Sequence, residues 1–299
     1  MNLPPVSTTS TAGRYAPSPS GDLHLGNLRT ALLAWLFART SGRAFLMRVE
    51  DLDRVRDGAE QRQLDDLRRL GIDWDGPLIR QSEQLAHHDD AIRTLTEQGR
   101  TFECFCTRRE ILEAPSAPHL PPGAYPGTCR ELTADQRAER ARQRPPAVRL
   151  RAGAGEWTIH DLLHGDFTGG LDDVVLRRND GVPAYNLAVV VDDAAQGVDQ
   201  VVRGDDLLTS APRQAHLAHL LGHPQPVYAH VPLVLNVQGR RLAKRDGAVT
   251  LRELHERGHD PLALITQSLG LPALSPADLL ERFDPSSLPR TPWVFTPPA

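Results

Sequence analysis

The pattern of apolar and polar positions in the first 70 residues predicts strands that alternate with helices. Gly13–Ala16 opens as a short strand, and the turn-rich stretch Pro17–Gly26 follows it. The apolar run Leu28–Ala38 is long enough for a buried helix. Arg43–Val49 then predicts a second strand, and Ala59–Leu70, with leucines three residues apart, predicts an amphipathic helix. Strands that alternate with helices are typical of a parallel α/β layer.

The middle of the chain differs in composition from the first 70 residues, and the alternation of strands and helices returns after it. Between Phe102 and Pro146 lie all the cysteines and a proline-rich stretch, which predicts an insertion whose helix is opened by Thr133 and Gln136 as a capping box. The remaining predicted strands are Val148–Arg151, Val174–Arg178, a second strand toward Tyr185 after a turn at 179–181, Val201–Val202 and Val227–Val237. The remaining predicted helices are Pro212–Leu221, Leu251–Arg257 and Pro261–Leu269.

Composition narrows the class of protein. The 299 residues are 40% hydrophobic, and no apolar run approaches the roughly 18 residues that cross a bilayer. The first basic residue, Arg14, follows a Pro/Ser/Thr-rich lead without the features of a secretory signal, so we expect a cytoplasmic protein with no membrane partner. The net charge of -4 excludes a globally basic nucleic-acid binder, and any RNA contact must be regional.

Two loops carry candidate chemistry. Residues 13–27 read GRYAPSPSGDLHLGN, which places His24, Gly26 and Asn27 immediately before the first long helix. A helix start offers unpaired N–H groups and a positive dipole end to a phosphate, and an imidazole can donate to phosphate oxygens as charge builds. Gly26 would let a base or ribose approach the backbone. Alternatively, this is an ordinary strand-to-helix loop with Asn27 as the helix cap.

The second loop reads RLAKRDGA from Arg241 to Ala248 and contains Lys244, the only lysine beside 33 arginines. An ammonium is a compact point charge whereas guanidinium is a planar fork, so a site built around one phosphate oxygen favours lysine. A Gly-flanked loop with clustered cations is suited to closing over a triphosphate. A solvated charge run is the alternative.

Together the two loops resemble the HIGH and KMSKS signatures of class I aminoacyl-tRNA synthetases, in particular the glutamyl group. The resemblance spans Gly13 to about Ala248, and the second signature departs from the pattern at Ala243 and Arg245. Only 55 residues follow Lys244, where full glutamyl enzymes carry a large anticodon-binding half. The chain therefore resembles the truncated paralogues of that group.

The resemblance implies an α/β protein with a Rossmann-type parallel-sheet catalytic core, a zinc-containing insertion and a small helical C-terminal segment. The corresponding division is a disordered lead at 1–12, core halves at 13–101 and 185–240, the insertion at 102–184, and the KMSKS-like loop with the helical segment at 241–299, without an anticodon-binding domain.

The resemblance also implies a reaction. The truncated paralogues activate L-glutamate with ATP and Mg²⁺ to glutamyl-adenylate and transfer it to queuosine in the anticodon of tRNA(Asp). His24 and Lys244 would be catalytic, and both would bind ATP together with Gly26 and Asn27. We expect a monomer. The alternatives are a short enzyme that charges the 3′ end of tRNA(Glu), and a non-catalytic, zinc-stapled RNA-binding module.

Binding free glutamate calls for arginine forks and one opposing carboxylate. The family pattern places the pocket at six positions: Arg14, Ala16, Ser18, Glu50, Tyr185 and Arg203. Our hypothesis is that Arg14 and Arg203 clamp the side-chain carboxylate, that Glu50 pairs with the ammonium with help from Ser18, and that Tyr185 forms a wall. Arg14 could instead pair with Glu50, and Tyr185 could belong to the core. Asp192 and Asp193 stay unassigned.

The sequence has three cysteines, Cys104, Cys106 and Cys129. This small and odd number argues against a disulfide framework. Three thiolates within one insertion suit a structural tetrahedral zinc site if a fourth ligand is present. General ligand preference nominates His119. The family resemblance nominates Tyr125, which is our choice.

Overall fold

The computed structural model of the protein describes residues 11–113, 125–153, 155–242, 249–271 and 275–296. The strands are β1 Ala12–Tyr15, β2 Ala44–Val49, β3 Ile79–Arg80, β4 Thr101–Cys104, β5 Ala147–Leu150, β6 Glu156–Asp161, β7 Gly165–Gly170, β8 Val175–Arg177, β9 Val198–Gly204, β10 Val227–Val231, β11 Val234–Leu235 and β12 Trp293–Val294. The helices are α1 Leu25–Thr40, α2 Ala59–Arg69, α3 Leu85–Glu97, α4 Arg108–Glu113, α5 Ala134–Gln143, α6 Tyr185–Ala195, α7 Ala211–Leu220, α8 Leu251–Glu256, α9 Pro261–Ser268 and α10 Pro276–Arg282.

Among these residues, seven strands form one sheet in the order β3-β2-β1-β9-β10-β6-β7. All neighbouring pairs are parallel except β6 and β7, so the predicted α/β class with a mostly parallel sheet is confirmed. The strand order reverses direction between β1 and β9. In open α/β sheets such a switch point leaves a crevice at the carboxyl ends of the strands, where ligands bind.

Apolar side chains cover both faces of this sheet. Val202 of β9 joins the cluster that contains nearly all of α1, whereas its neighbour Val201 joins the cluster with Ala211 and Ala215 of α7. Successive strand residues point to opposite faces, so α1 and α7 lie on opposite sides. α1 is buried on almost every side from Leu25 onward, which explains its continuous apolar sequence.

The prediction of a strand that runs toward Tyr185 is wrong. β8 ends at Arg177, a turn follows, and Tyr185 is the first residue of α6. α6 is buried from Leu187 to Asp193, and a helix buried on most sides has the same apolar run as a buried strand. The proline-rich tail, for which the sequence predicts no element, contains α10 and β12.

A second, three-stranded antiparallel sheet has the order β4-β5-β8. Cys104 ends β4, and α5 begins with the predicted capping box of Thr133 and Gln136. β6 and β7 belong to the large sheet although they lie within 102–184, the range predicted as an insertion. The division into segments stays a prediction, and most of the predicted lead lies outside the described residues.

Candidate active site

A cleft of about 400 Å³ opens at the switch point between β1 and β9. It brings together nine of the residues predicted from the two signatures and the glutamate pocket. These are Arg14, Ala16, Ser18, His24, Gly26, Asn27, Glu50, Tyr185 and Arg203. Lys244, the remaining predicted residue of the cleft, lies outside the described residues.

The nucleotide end of the cleft is formed by the start of α1. His24 is the N-cap of this helix: its Nδ1 accepts from the Asn27 N–H at 3.2 Å, and Asn27 Oδ1 accepts from the His24 N–H at 3.2 Å. The alternative with Asn27 as the cap is therefore wrong, because Asn27 is the third helical residue of a capping box. A neutral imidazole that accepts at Nδ1 carries its proton on Nε2, the tautomer that donates to a phosphate oxygen.

The helix start offers fewer backbone donors than the sequence predicts. The Leu25 N–H donates to the Val249 carbonyl at 2.7 Å, and the Asn27 N–H is taken by His24. Gly26 is required by packing, since a Cβ there would meet the His24 ring at 3.0 Å and Val234 at 3.3 Å. This crowding accounts for the glycine without a bound base or ribose.

The two flanks of the second signature meet the first signature. Before the undescribed segment 243–248, the Leu242 N–H donates to the Val234 carbonyl at 3.0 Å, and Arg241 lines the cleft. After it, Thr250 bridges to His24 as an isolated β-bridge. Arg241 Nη1 pairs with Asp206 Oδ2 at 2.6 Å. The described flanks of the second signature therefore lie beside the first signature, at the same cleft.

The opposite end of the cleft contains a buried group of charges. Arg14 Nε donates to Asp193 Oδ1 at 3.0 Å, and Arg48 Nη1 donates to the same oxygen at 2.7 Å. Burial opposes ionisation of Asp193, but these two guanidiniums outweigh it and hold the pKa of Asp193 below its usual range. Arg14 therefore pairs with Asp193 and not with Glu50, which decides the alternative that the sequence left open.

Glu50, the residue after β2, lies beside this group. Its Oε1 is 3.7 Å from Arg48 Nη2, and Arg48 is completely buried. Burial raises the pKa of Glu50, and the charges of Arg48 and Arg14 offset only part of that effect. A substrate ammonium beside Glu50 would stabilise the carboxylate, so the site is electrostatically suited to an amino acid.

Arg203 closes the side of the cleft contributed by β9. Its Nε donates to His230 Nε2 at 3.0 Å, and its Nη1 donates to Gln214 Oε1 at 2.8 Å. Gln214 in turn donates to Asn186 Oδ1 at 2.9 Å, next to Tyr185 at the start of α6. These contacts fix the guanidinium plane from two sides.

Hydrogen bonds from Gln63 and from the Glu50 backbone hold the loop after β1 in place. The buried Gln63 of α2 donates to the carbonyl of Ser18 at 3.0 Å and to that of Gly21 at 2.6 Å, and the Glu50 N–H donates to the Pro17 carbonyl at 3.0 Å.

Tyr185 is 42% exposed and lines the cleft, so it is not a core residue.

Sequence reasoning gives no role to four side chains that line or support the cleft: Arg48, Gln63, His230 and Asp193, the last of which it names but leaves unassigned. Arg48 and Asp193 each left a signal, a charge within an apolar strand or helix. Asp192 belongs to the same buried group, because its carboxylate accepts from Gln81 Nε2 and pairs with His88 Nε2, both at 2.7 Å. Gln63 and His230 left no local signal.

The three cysteines also lie together. Their Sγ atoms are within 4.8 Å of one another, and those of Cys106 and Cys129 are 3.5 Å apart. The Tyr125 hydroxyl is 3.4 Å from Cys104 Sγ and 3.8 Å from Cys106 Sγ. Tetrahedral zinc with ligand bonds of about 2.0 to 2.3 Å sets its donors about 3.5 to 3.8 Å apart. The Cys106–Cys129 distance and the two Tyr125 distances are close to this range, and every cysteine pair lies within 4.8 Å, so the donor set suits zinc. His119 lies outside the described residues.

Comparison with known proteins places this architecture in a family. The family model described as the catalytic domain of class I tRNA synthetases (E and Q) matches residues 10–288. A glutamyl-Q tRNA(Asp) synthetase of Nocardia farcinica is 67% identical over 293 residues, covering 97% of this chain and 94% of that protein. Another from Deinococcus radiodurans is 47% identical over 263 residues, covering 84% of this chain and 85% of that protein.

Longer proteins match as well. A glutamate–tRNA ligase of Nitrosospira multiformis is 40% identical over 300 residues, which cover 95% of this chain and 63% of that protein. The crystal structure of a glutamate tRNA ligase from Elizabethkingia meningosepticum in complex with its amino acid is similar, with a TM-score of 0.80 and 26% identity, covering 96% of this chain and 67% of that chain.

Proposed function

Because the chain belongs to the class I tRNA synthetase (E and Q) family and, within it, to the glutamyl-Q tRNA(Asp) synthetase group, we propose that it glutamylates queuosine in the anticodon of tRNA(Asp). MgATP and L-glutamate are its other substrates. The observation that carries the proposal is the single cleft that joins the HIGH-like helix start to two arginines and a carboxylate. Its tRNA substrate places the reaction in the cytoplasm.

The reaction proceeds in two steps. An α-carboxylate oxygen of glutamate attacks the α-phosphorus of ATP in line, a new P–O bond forms, and the bond to pyrophosphate breaks. A hydroxyl oxygen of queuosine then attacks the carbonyl carbon of glutamyl-adenylate, forms an ester, gives up its proton and displaces AMP. Neither step requires a covalent bond to the protein.

The side chains of the cleft supply binding and electrostatic stabilisation. His24 Nε2–H donates to phosphate oxygens, and Lys244 and Arg241 neutralise the departing pyrophosphate. Gly26 and Asn27 line the cleft beside the nucleotide. At the other end, Arg14 and Arg203 bind the side-chain carboxylate, Glu50 and Ser18 bind the ammonium, and Ala16 and Tyr185 form the walls.

The acceptor is tested by transfer of radiolabelled glutamate to three substrates: tRNA(Asp) with queuosine, tRNA(Asp) with unmodified guanosine, and tRNA(Glu). We expect label only on the first. Removal of the 3′ adenosine distinguishes the attachment sites, because anticodon-bound label survives trimming of the 3′ end. Label on tRNA(Glu) alone would contradict the proposal and favour charging of the 3′ end.

We also propose that the cysteine cluster binds one structural zinc ion, with Tyr125 as the fourth ligand. Zinc would clip together β4 and the segment before α5, which share only a small apolar cluster. We expect about one zinc per chain, and loss of zinc together with a lower melting temperature in Cys104→Ser.

The fourth ligand is decided by two matched variants. Tyr125→Phe keeps the ring that lies 3.9 Å below the Arg149 guanidinium but removes the oxygen, and we expect it to weaken zinc binding by at least about 10-fold. His119→Ala is expected to bind zinc normally. The reverse result would assign His119, and metal-free protein prepared without chelator would overturn the site.

A further inference from the structure

Three buried polar side chains form a line across three adjacent strands of the large sheet. Asp161 ends β6, His230 lies in β10 and Arg203 in β9, and His230 and Arg203 are register partners. Asp161 and His230 are almost completely buried, and Arg203 is 6% exposed. Burying three ionisable groups is costly unless each is paired, so their hydrogen bonds define what the line can do.

The directions of these hydrogen bonds fix the protonation of His230. A guanidinium only donates, so His230 Nε2 must accept from Arg203 Nε at 3.0 Å. The proton of the neutral ring is then on Nδ1, which donates to Asp161 Oδ2 at 2.6 Å. Asp161 also accepts from the backbone N–H groups of His230, Leu163 and His164, so the carboxylate is itself held in place.

We propose that Asp161 and His230 are positioning residues that aim the Arg203 guanidinium at the side-chain carboxylate of glutamate. This inference rests on the proposed role of Arg203 in the glutamate pocket. His230 and Gln214 take the Nε and Nη1 donors, whereas the one hydrogen bond of Nη2 to a described residue is a long 3.5 Å contact with the Leu207 carbonyl. Nη2 is thus the donor that a substrate carboxylate takes over at least cost.

The hydrogen-bonded line Asp161–His230–Arg203, called the relay below, makes glutamate binding sensitive to acid. The charged and titratable groups facing His230 are Asp161, Arg203, His164 and Tyr228, whose ring stacks on the imidazole at 5.7 Å. Burial lowers the pKa of His230 from its ordinary 6.5, and Asp161 offsets only part of that effect. The ring is therefore neutral at pH 7. As the pH falls through the lowered pKa, Nε2 loses its lone pair, and a second cation faces Arg203.

The test compares three variants in glutamate-dependent pyrophosphate exchange from about pH 5 to 8. In His230→Leu, which has no acceptor, we expect the KM for glutamate to rise by about 10-fold or more while the KM for ATP stays unchanged. His230→Gln places an acceptor near Nε2 that does not titrate, so it should keep the KM at pH 7 and make the rise in acid smaller than in the wild-type chain, because only the part due to protonation of Glu50 remains. His216→Gln is the matched control, a buried histidine on α7 that should keep the wild-type profile.

Two results would overturn the relay: a wild-type glutamate KM in folded His230→Leu, or equal rises in both KM values. Histidine ¹⁵N shifts of the wild-type chain give an answer that does not depend on variants folding, because an Nε2–H tautomer for His230 could not accept from Arg203. Undiminished glutamate binding in Arg203→Ala would contradict the pocket itself, which separates failure of the proposed function from failure of the relay.

Discussion

Arg203→Ala is expected to abolish glutamate-dependent pyrophosphate exchange while leaving the chain folded. Truncating one partner of a buried, hydrogen-bonded charge pair costs about 2–5 kcal/mol of binding, and each 1.4 kcal/mol is a factor of ten. The loss in kcat/KM should therefore be at least about 30-fold. Arg203→Lys should retain little of the activity, because an ammonium cannot bond His230, Gln214 and a carboxylate in one plane.

The control for this prediction is Arg213→Ala on α7. Arg213 is a partly buried arginine whose Nη1 lies 3.6 Å from Asp172 Oδ2, and it lies outside the cleft. We expect its exchange rate to be unchanged within a few-fold. Exchange that survives in Arg203→Ala with normal glutamate dependence would remove Arg203 from the pocket.

His24→Ala should lower the rate of adenylate formation by about 100- to 1,000-fold, the cost of removing one donor from a developing anionic charge. The same substitution removes the N-cap of α1, which costs about 1 kcal/mol of stability. Pre-steady-state measurement of adenylate formation and thermal unfolding report the two effects separately.

His24→Asn separates catalysis from capping in this prediction. Asparagine is among the best N-cap residues, so its side chain should restore the bond to the Asn27 N–H and most of the lost stability. It is shorter than histidine and ends before the position of Nε2, so activity should stay low. Recovery of the rate in His24→Asn would mean that His24 serves the helix and not the phosphates.

The parts of the cleft that can be predicted from the sequence are those whose functional residues are close together along the chain. The run 13–27 carries its own strand end, turn and helix start, so the sequence places His24 at the start of α1, whereas Asn27, which it sets before the helix, is the third helical residue. The glutamate pocket was placed through resemblance, because Arg14, Glu50 and Arg203 follow different strands and only the sheet order brings them together.

The residues that sequence analysis missed depend on long-range register. His230 is an ordinary strand histidine until β10 pairs with β9 and sets it opposite Arg203. The satisfied N–H of Leu25 could not be expected either, because its acceptor, Val249, is more than 200 positions away along the chain. The misassigned segment before Tyr185 had a different cause, since burial on most sides erases the periodicity that distinguishes helix from strand.

The pairing of β1 with β9 has a consequence for synthesis of the protein. Ala12 lies beside Val198 in the centre of the sheet, so the strand that leads into the first signature finds this neighbour only after roughly two-thirds of the chain has left the ribosome. Such non-local pairing is slow because a long loop must close before any contact forms. A nascent N-terminal half therefore carries the HIGH-like motif without the side of the cleft that β9 contributes, and Arg203 joins the cleft only after β9 has been synthesised.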